Sequence, residues 1–335
     1  MSETTMTALP PRRLAVAPMI GWTDRHCRHF HRLLAPHAWL YTEMITTGAL
    51  IHGDVARHLR FHSSEHPVAL QLGGSDPHAL AQCARLGQEW GYDEINLNCG
   101  CPSERVQSGA FGACLMSEPT LVRDCIKAMT DAVGIPVTVK HRTGVDQVED
   151  YTFVRDFVGT VAEGGARTFI VHARNAWLKG LSPKENREIP PLRYEFAYQL
   201  KQDFPQLEIL INGGIASSAA IAAHLEKIDG VMIGREAYHN PWSLTEWERL
   251  LFDPDWSPTR EAIVAQLVNY CSCELAEHGT PVRASIRHVL GLANGMAGAR
   301  SFRRVLSDSQ LIKDARPELL WQAWEEVRTA MAVDK

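Results

Sequence analysis

Eight short apolar segments alternate with longer stretches of helical character over roughly the first 240 residues, and this alternation limits the fold more than any other feature. Short runs rich in Val, Ile and Leu are expected of strands that are buried on both faces of a parallel sheet. The segments span residues 13–18, 39–42, 68–72, 94–98, 137–140, 168–172, 209–212 and 230–233. Eight such strands, each followed by a crossover, predict an α/β protein with a (β/α)8 TIM barrel.

The alternative to a barrel is an open, doubly wound sheet. Dinucleotide-binding sheets of that kind carry a G-x-G-x-x-G turn after the first strand, and no such turn follows residues 13–18. Helix starts are marked by a capping residue followed by proline at Ser75-Asp76-Pro77 and Ser117-Glu118-Pro119. These signals favour the barrel.

The alternation stops after Pro241, and residues 258–332 carry helical apolar stripes. Pro254 and Pro258 mark a linker. We therefore predict two domains, a TIM-barrel catalytic domain over residues 1–250 and a small all-helical domain over residues 251–335.

Charge and segment composition exclude several classes of protein. The net charge is −5, so binding of a nucleic acid would need a local basic face. No apolar run approaches the roughly 20 residues of a membrane helix, and the first residues lack the apolar core of a secretion signal. The eight scattered cysteines have no zinc spacing and are expected to be free thiols. We expect a cytoplasmic monomer without a membrane or metal partner.

In a TIM barrel, the active residues lie at the carboxyl ends of the strands. Glycine motifs follow the last two predicted strands, Gly213-Gly214 after the first and Gly234-Arg235 after the second, which also supplies an arginine. Glycines there expose backbone N–H groups and lead into a helix, which suits a bound phosphate. Either motif alone is typical of a plain turn, but their occurrence at consecutive strand ends favours a phosphate site.

Three further side chains at strand ends suit a flavin site. Lys140 ends a buried strand, where an ammonium group needs an anionic or hydrogen-bonding partner, although a lysine reaching the barrel rim is the simpler alternative. Gln71 offers both a donor and an acceptor. Cys101 lies between glycine and proline just past a strand, where a thiol can act as a general acid. Cys99 lacks the flanking proline and is the weaker candidate.

These motifs together resemble those of the tRNA-dihydrouridine synthase family, specifically its A subfamily, over essentially the whole chain. The most specific match is NLNCGCPS at 96–103, followed by RVQSGAFGACLM at 105–116. Other matching segments are APMIGWTDRHCR at 17–28, TVKHRTG at 138–144, HARNAWLKGLSPKENR at 172–187 and INGGI at 211–215. One departure is Cys99, where a small apolar residue is expected.

The resemblance implies an enzyme that uses FMN, with NADPH or NADH as reductant, to reduce uridine in the tRNA D-loop at positions 20 and 20a. It implies that Cys101 donates the proton and that Asn98 contacts the target uridine. The flavin-binding positions that it implies are Ala17, Pro18, Met19, Gln71, Lys140, His172, Asn212, Gly213, Gly214, Gly234 and Arg235.

The helical segment also carries a candidate RNA-binding surface. No acidic residue occurs from Gly279 to Ser307, a stretch that contains five arginines. Such a patch is expected of phosphate contacts, although scattered arginines are more often a solvated face. The predicted tRNA contacts are Asn98, Lys184, Arg187, Arg300 and Arg303.

Two other functions stay open from the sequence. A flavin barrel enzyme could act on a free pyrimidine, as dihydroorotate and dihydropyrimidine dehydrogenases do, but such a substrate needs no arginine-rich appendage. A tRNA-binding protein without catalysis would not need Cys101, Lys140 and both glycine motifs.

Overall fold

The structure of the protein is a computed structural model that describes residues 9–103 and 109–333. The described residues fall into two compact units. The first unit contains the residues up to Met19 and those from His37 to Ile233, and the second contains Ile20–Pro36 and the residues from Gly234 onward.

The first unit is built on a closed parallel barrel. Its strands in chain order are β1 (Leu14–Val16), β2 (Trp39–Tyr41), β3 (Ile45–Thr46), β4 (Val68–Gly73), β5 (Glu94–Cys99), β6 (Val137–His141), β7 (Thr168–His172), β8 (Glu208–Asn212) and β9 (Gly230–Ile233). The sequential pairing of β4 to β9 continues through β1 and β2 back to β4, which closes an eight-stranded barrel. The predicted fold class is confirmed, and β3 is a two-residue addition beside β4.

The helices surround the barrel or form the second unit. In chain order they are α1 (Arg25–Leu34), α2 (Thr47–His52), α3 (Val55–Leu59), α4 (Pro77–Glu89), α5 (Pro119–Ala132), α6 (Tyr151–Ala162), α7 (Tyr194–Asp203), α8 (Ser218–Leu225), α9 (Arg235–His239), α10 (Ser243–Leu251), α11 (Arg260–His278), α12 (Arg283–Ile286), α13 (Ala299–Ser307), α14 (Ser309–Lys313) and α15 (Leu319–Val333). Short 3-10 helices span Ser63–Glu65, Gly112–Ser117 and Glu185–Arg187.

Local signals explain where the barrel helices begin. The Asp76 side chain accepts a hydrogen bond from the Ala79 backbone N–H, and Pro77 occupies the first turn of α4. The Ser217 hydroxyl caps α8 in the same way by accepting from the Ala220 N–H. Each cap satisfies a backbone donor that the helix itself leaves unpaired. The predicted start of α4 is confirmed, and α5 begins at Pro119 as predicted but without a side-chain cap from Glu118.

The second unit is all-helical over its described residues, as predicted for the C-terminal part of the chain. It also takes in α1, which precedes most of the barrel in sequence. Asp24 caps α1 by accepting from the N–H groups of His26 and Cys27, and it pairs with Arg287 and His288. Nowhere in the described part of the chain does a helix have the length and apolar character needed to cross a membrane.

Candidate functional site

Polar side chains of three neighbouring strands form a buried hydrogen-bonded set that runs from the first residue of β5 towards its carboxyl end. Glu94, Asn96 and Asn98 alternate along β5, so their side chains lie on the same face of that strand. In register beside Asn96 are Gln71 of β4 and Thr138 of β6. The side chains form direct hydrogen bonds, among them Gln71 Nε2 to Asn96 Oδ1 and Asn98 Nδ2 to Gln71 Oε1, at 2.8 and 2.9 Å.

The segment around Cys101 is fastened to the end of β5. Asn98 Oδ1 accepts hydrogen bonds from the N–H groups of Gly100 and Cys101, at 3.1 and 3.0 Å. The Cys101 carbonyl accepts from the Ala113 N–H at 2.9 Å. The Cys101 thiol is partly exposed and lies 3.5 Å from the Ser103 hydroxyl. Residues 105–108 of the predicted loop motif lie outside the described residues.

Cys99 differs from Cys101 in its surroundings. It is fully buried, and burial raises the pKa of its thiol well above the usual value, with Cys125 and Cys114 nearby adding to the effect. A buried thiol of this kind is inert towards solvent and cannot meet a substrate. Of the two cysteines in the motif, only Cys101 can be reached from outside the barrel.

The side chain of Lys140 is hydrogen-bonded to the amide of Asn212. Its Nζ donates to Asn212 Oδ1 at 3.2 Å, and Asn212 Nδ2 in turn donates to the Met232 carbonyl at 2.7 Å. Burial first and the charge of Arg142 second lower the pKa of Lys140, and Cys101 opposes them, so that the pKa is about 7. An amine with this pKa can be charged beside an anion and neutral without one.

Gly213 and Gly214 follow β8 with φ angles of +120° and +69°. These angles lie in the left-handed region, which favours glycine. A Cβ atom at Gly213 would lie 3.0 Å from His172 Cδ2, so the backbone here passes close to the imidazole. Burial lowers the pKa of His172 well below 6.5, as do the charges of Arg142 and Lys140, so the ring is neutral at physiological pH.

The remaining predicted flavin positions lie at the ends of β1 and β9. Ala17 is buried, and its N–H donates to the Ile233 carbonyl at 2.8 Å, while Pro18 and Met19 follow it and are half-buried. Gly234 and Arg235 belong to the second unit, where Arg235 is the first residue of α9.

Arg142 is a site residue that was missing from the sequence prediction. It is buried, and its Nε donates to the Gly100 carbonyl at 2.9 Å. Its Nη1 donates to the carbonyls of Asn175 and Asn186, at 3.1 and 2.8 Å. Burial lowers the pKa of Arg142 to about 10, so it stays charged at neutral pH. The only sequence signal was a second cation two residues after Lys140.

The predicted tRNA contacts other than Asn98 are exposed. Lys184 and Arg187 lie on the long segment after β7, and Arg187 belongs to the 3-10 helix there. Arg300 and Arg303 lie on α13 of the second unit, where Arg303 Nη1 donates to Asn294 Oδ1. Of the neighbouring arginines, Arg287 pairs with Asp24 and Arg304 lies 3.9 Å from Glu326.

Known proteins resemble this chain over nearly its full length. A family model described as dihydrouridine synthase (Dus) matches residues 15–328. A tRNA-dihydrouridine(20/20a) synthase of Pseudomonas putida is 58% identical over 92% of this chain and 91% of its own length. Proteins of the same name from Escherichia coli and Synechocystis are 56% and 55% identical, each over 92% of this chain and 93% of their own length.

The fold is also similar to that of a distant solved structure. A 2-naphthoyl-CoA reductase in complex with 2-naphthoyl-CoA superposes with a TM-score of 0.55 at 11% identity, covering 73% of this chain and 51% of that one. At this identity the likeness concerns the barrel fold alone.

Proposed function

The chain belongs to the dihydrouridine synthase family, and we propose that it reduces uridine to 5,6-dihydrouridine at positions 20 and 20a of the tRNA D-loop. The observation that carries this proposal is the placement of Cys101. Its segment is pinned by the side chain of Asn98 at the carboxyl end of the barrel, the end at which barrel enzymes bind their substrates.

The residues at this end fit FMN. Gly213 and Gly214 have left-handed backbone and no Cβ atoms to shield their N–H groups from a phosphate, and Ser217 begins a helix a few residues beyond them. Lys140 is buried with only an amide oxygen as its hydrogen-bond acceptor among the described contacts, so an anionic group beside it would gain a charge partner. We propose that these residues hold FMN together with Ala17, Pro18, Met19, Gln71, His172, Asn212, Gly234 and Arg235.

Bound FMN, reduced by NADPH or NADH, supplies the hydride for this reaction. The protein supplies the proton and the orientation. We propose that the Cys101 thiol gives its proton to the carbon of the uracil double bond opposite to the one that receives hydride. We propose that Asn98 orients both partners, because its oxygen holds the Cys101 N–H and the resemblance implies a uridine contact at this residue.

The residues that we propose to bind tRNA are exposed lysines and arginines. Lys184 and Arg187 follow β7, and Arg300 and Arg303 lie on α13. We propose that these four residues contact phosphates and so give the enzyme its hold on folded tRNA, which is recognised largely by shape and backbone. A monomer acting in the cytoplasm stays a prediction.

A single-turnover experiment tests the proposal. Enzyme loaded with FMN is reduced under anaerobic conditions and mixed with unmodified tRNA, and both flavin absorbance and dihydrouridine content are followed. We expect one dihydrouridine for each flavin oxidised. The matched control is the same tRNA with cytidine at positions 20 and 20a, which should leave the flavin reduced. If free uracil or orotate oxidises the reduced flavin and tRNA does not, the proposal is wrong and the protein is an enzyme that acts on a free pyrimidine.

A further inference from the structure

We propose that Glu94 is a positioning residue for this reaction, because a one-way series of hydrogen bonds connects its carboxylate to the Cys101 segment. The inference rests on the proposed function. We call the series the hydrogen-bond relay, and its members in order are Glu94, Thr138, Asn96, Gln71 and Asn98.

The relay lies inside the barrel and out of reach of solvent. Glu94 and Asn96 are fully buried, and Asn98, the most accessible member, is 9% exposed. In such surroundings a polar group that loses its partner cannot turn to water instead, so the partners seen here are strongly enforced.

The direction of the relay is set at Glu94. Arg12 donates from Nε and Nη2 to Glu94 Oε2, at 2.8 and 2.7 Å. The Thr138 hydroxyl donates to Oε1 at 2.5 Å. A carboxylate that faces donors on both oxygens acts only as an acceptor. The single hydroxyl proton of Thr138 is therefore used on Glu94, and its oxygen can only accept from its other neighbour.

This constraint passes through every amide that follows. Asn96 must turn its NH2 group to Thr138, at 2.8 Å, so its oxygen faces Gln71. Gln71 must then donate to that oxygen, at 2.8 Å, and it accepts from Asn98 at 2.9 Å. The two backbone N–H groups at the far end can only donate, so both ends of the series require the same direction and each orientation agrees with the one before it.

The last member of the relay places its oxygen where the site needs it. Asn98 Oδ1 accepts from the N–H groups of Gly100 and Cys101. With the opposite orientation, the Asn98 NH2 group would face those two donors and the segment would lose both hydrogen bonds. Glu94, on the same strand but four residues before Asn98, thus fixes the position of the proton donor without touching substrate.

The test compares three variants of the FMN-loaded enzyme. Thr138→Val removes the hydroxyl and keeps the shape, so it breaks the relay. Thr138→Ser keeps the hydroxyl. Tyr41→Phe removes another buried hydroxyl that donates to the same Glu94 oxygen, at 2.9 Å, but lies outside the relay. The readouts are amide hydrogen exchange of the peptide covering residues 98–103, and oxidation of the reduced flavin by tRNA and, separately, by dioxygen.

We expect Thr138→Val to speed exchange at Gly100 and Cys101 by about fivefold or more, the effect of weakening a single hydrogen bond. Oxidation by tRNA should slow by about ten- to a hundredfold, as misplacement of a catalytic group does, while oxidation by dioxygen stays within about twofold because it needs no proton donor at this position. Thr138→Ser should restore the tRNA reaction, and Tyr41→Phe should change neither exchange nor the tRNA reaction.

Equal effects of Thr138→Val and Tyr41→Phe would overturn the inference, since both would then reflect only lost packing or stability. Unchanged exchange at Gly100 and Cys101 in Thr138→Val would overturn it as well. If Thr138→Val fails to fold, Thr138→Ala removes the same hydroxyl and is judged by the same outcomes. Failure of the wild-type flavin to be oxidised by tRNA would instead refute the proposed function, whatever the variants do.

Discussion

At the scale of single residues, Lys140 is the most unusual ionisable group of the site. It is buried, and its hydrogen-bond acceptor is the amide oxygen of Asn212 rather than a carboxylate. Its pKa of about 7 follows from burial first and from the charge of Arg142 second. The protonated form therefore costs stability in the flavin-free protein, and an anionic cofactor would relieve that cost.

This shift predicts how stability depends on pH. Between pH 7 and 10.5, unfolded Lys140 holds a proton that the folded residue has lost, so the stability of the flavin-free enzyme should rise with pH across this window. The contribution is about 1 kcal/mol per pH unit and is lost as pH falls to 7. Denaturant unfolding at pH 7.5 and 8.5 should show a shallower rise in Lys140→Met.

A matched control is Lys127→Met, which replaces an exposed lysine paired with Asp131 on α5. Its free energy of unfolding should rise between the two pH values by as much as that of the wild type. An equal rise in the wild type and Lys140→Met would show that Lys140 is not the group responsible.

At the scale of elements, Arg142 joins three segments that are distant in sequence. Its donors reach Gly100 after β5, and Asn175 and Asn186 in the long segment after β7. A guanidinium can hold several carbonyls because its donors are spread over a rigid plane, which an ammonium cannot imitate.

Arg142→Lys should therefore loosen the segment after β7 even though the charge is kept. We expect the free energy of unfolding to fall by about 2 kcal/mol and hydrogen exchange over residues 175–187 to accelerate. Arg155→Lys on the exposed surface of α6 is the control and should change neither quantity. If Arg142→Lys shows the same rate of hydrogen exchange over residues 175–187 as the wild type, the three carbonyl contacts do not hold the segment after β7.

In the second unit, Asp24 caps the start of α1 and joins it to Arg287 and His288. Burial would raise the pKa of this carboxyl, but hydrogen bonding and charge from His288 and the Cys27 N–H hold it well below 3.8.

Asp24→Asn keeps a capping oxygen and should cost less stability than Asp24→Ala, by about 1 kcal/mol. Because the folded pKa is depressed, the stability advantage of the wild type over both variants should begin to shrink as pH falls below 3.8, and it is lost fully only below the folded pKa. Thermal unfolding at pH 7 and pH 3 measures this, and equal losses in the two variants would rule out capping.

The strands were predictable because each is a compact apolar run, and the eight barrel strands lie within the predicted segments to within about two residues. β3 escaped prediction because Ile45 and Thr46 form no run and are only half-buried. α1 escaped because its sequence, RHCRHFHRLL, is polar, yet most of its side chains are buried. Burial of histidine and arginine depends on partners elsewhere in the chain, which local patterns do not contain.

The same distinction holds for the site. Cys101 and the glycines follow strand ends and Lys140 lies near the end of β6, so their positions could be predicted from strand order alone. The roles of Arg142 and Glu94 could not, because both depend on contacts between residues about 30 to 80 positions apart. Motif spacing reveals residues at strand ends but not the buried partners that orient them.

At the scale of the whole molecule, the proposed binding of tRNA has to occur on a protein whose net charge is −5. The acid-free stretch from Gly279 to Ser307 includes Arg300 and Arg303 on exposed positions of α13. Local cations of this kind attract a polyanion even when the protein as a whole is acidic.

Replacing Arg300 and Arg303 together by alanine should raise the KM for tRNA, leave kcat nearly unchanged, and reduce the salt dependence of tRNA binding by about one to two units of log–log slope. Arg249→Ala, at an exposed position of α10 in the same unit, should leave all three unchanged. A fall in kcat with unchanged KM would contradict a role in phosphate binding.

The most direct test of the central claim is mass mapping of dihydrouridine in unmodified tRNA treated with FMN-loaded enzyme and NADPH, comparing the wild type with Cys101→Ala. The account predicts dihydrouridine at positions 20 and 20a with the wild type and little or none with Cys101→Ala, with FMN bound equally by both. Wild-type levels of product from Cys101→Ala would contradict the role of its thiol. NADPH consumption without dihydrouridine in tRNA would contradict the proposed substrate.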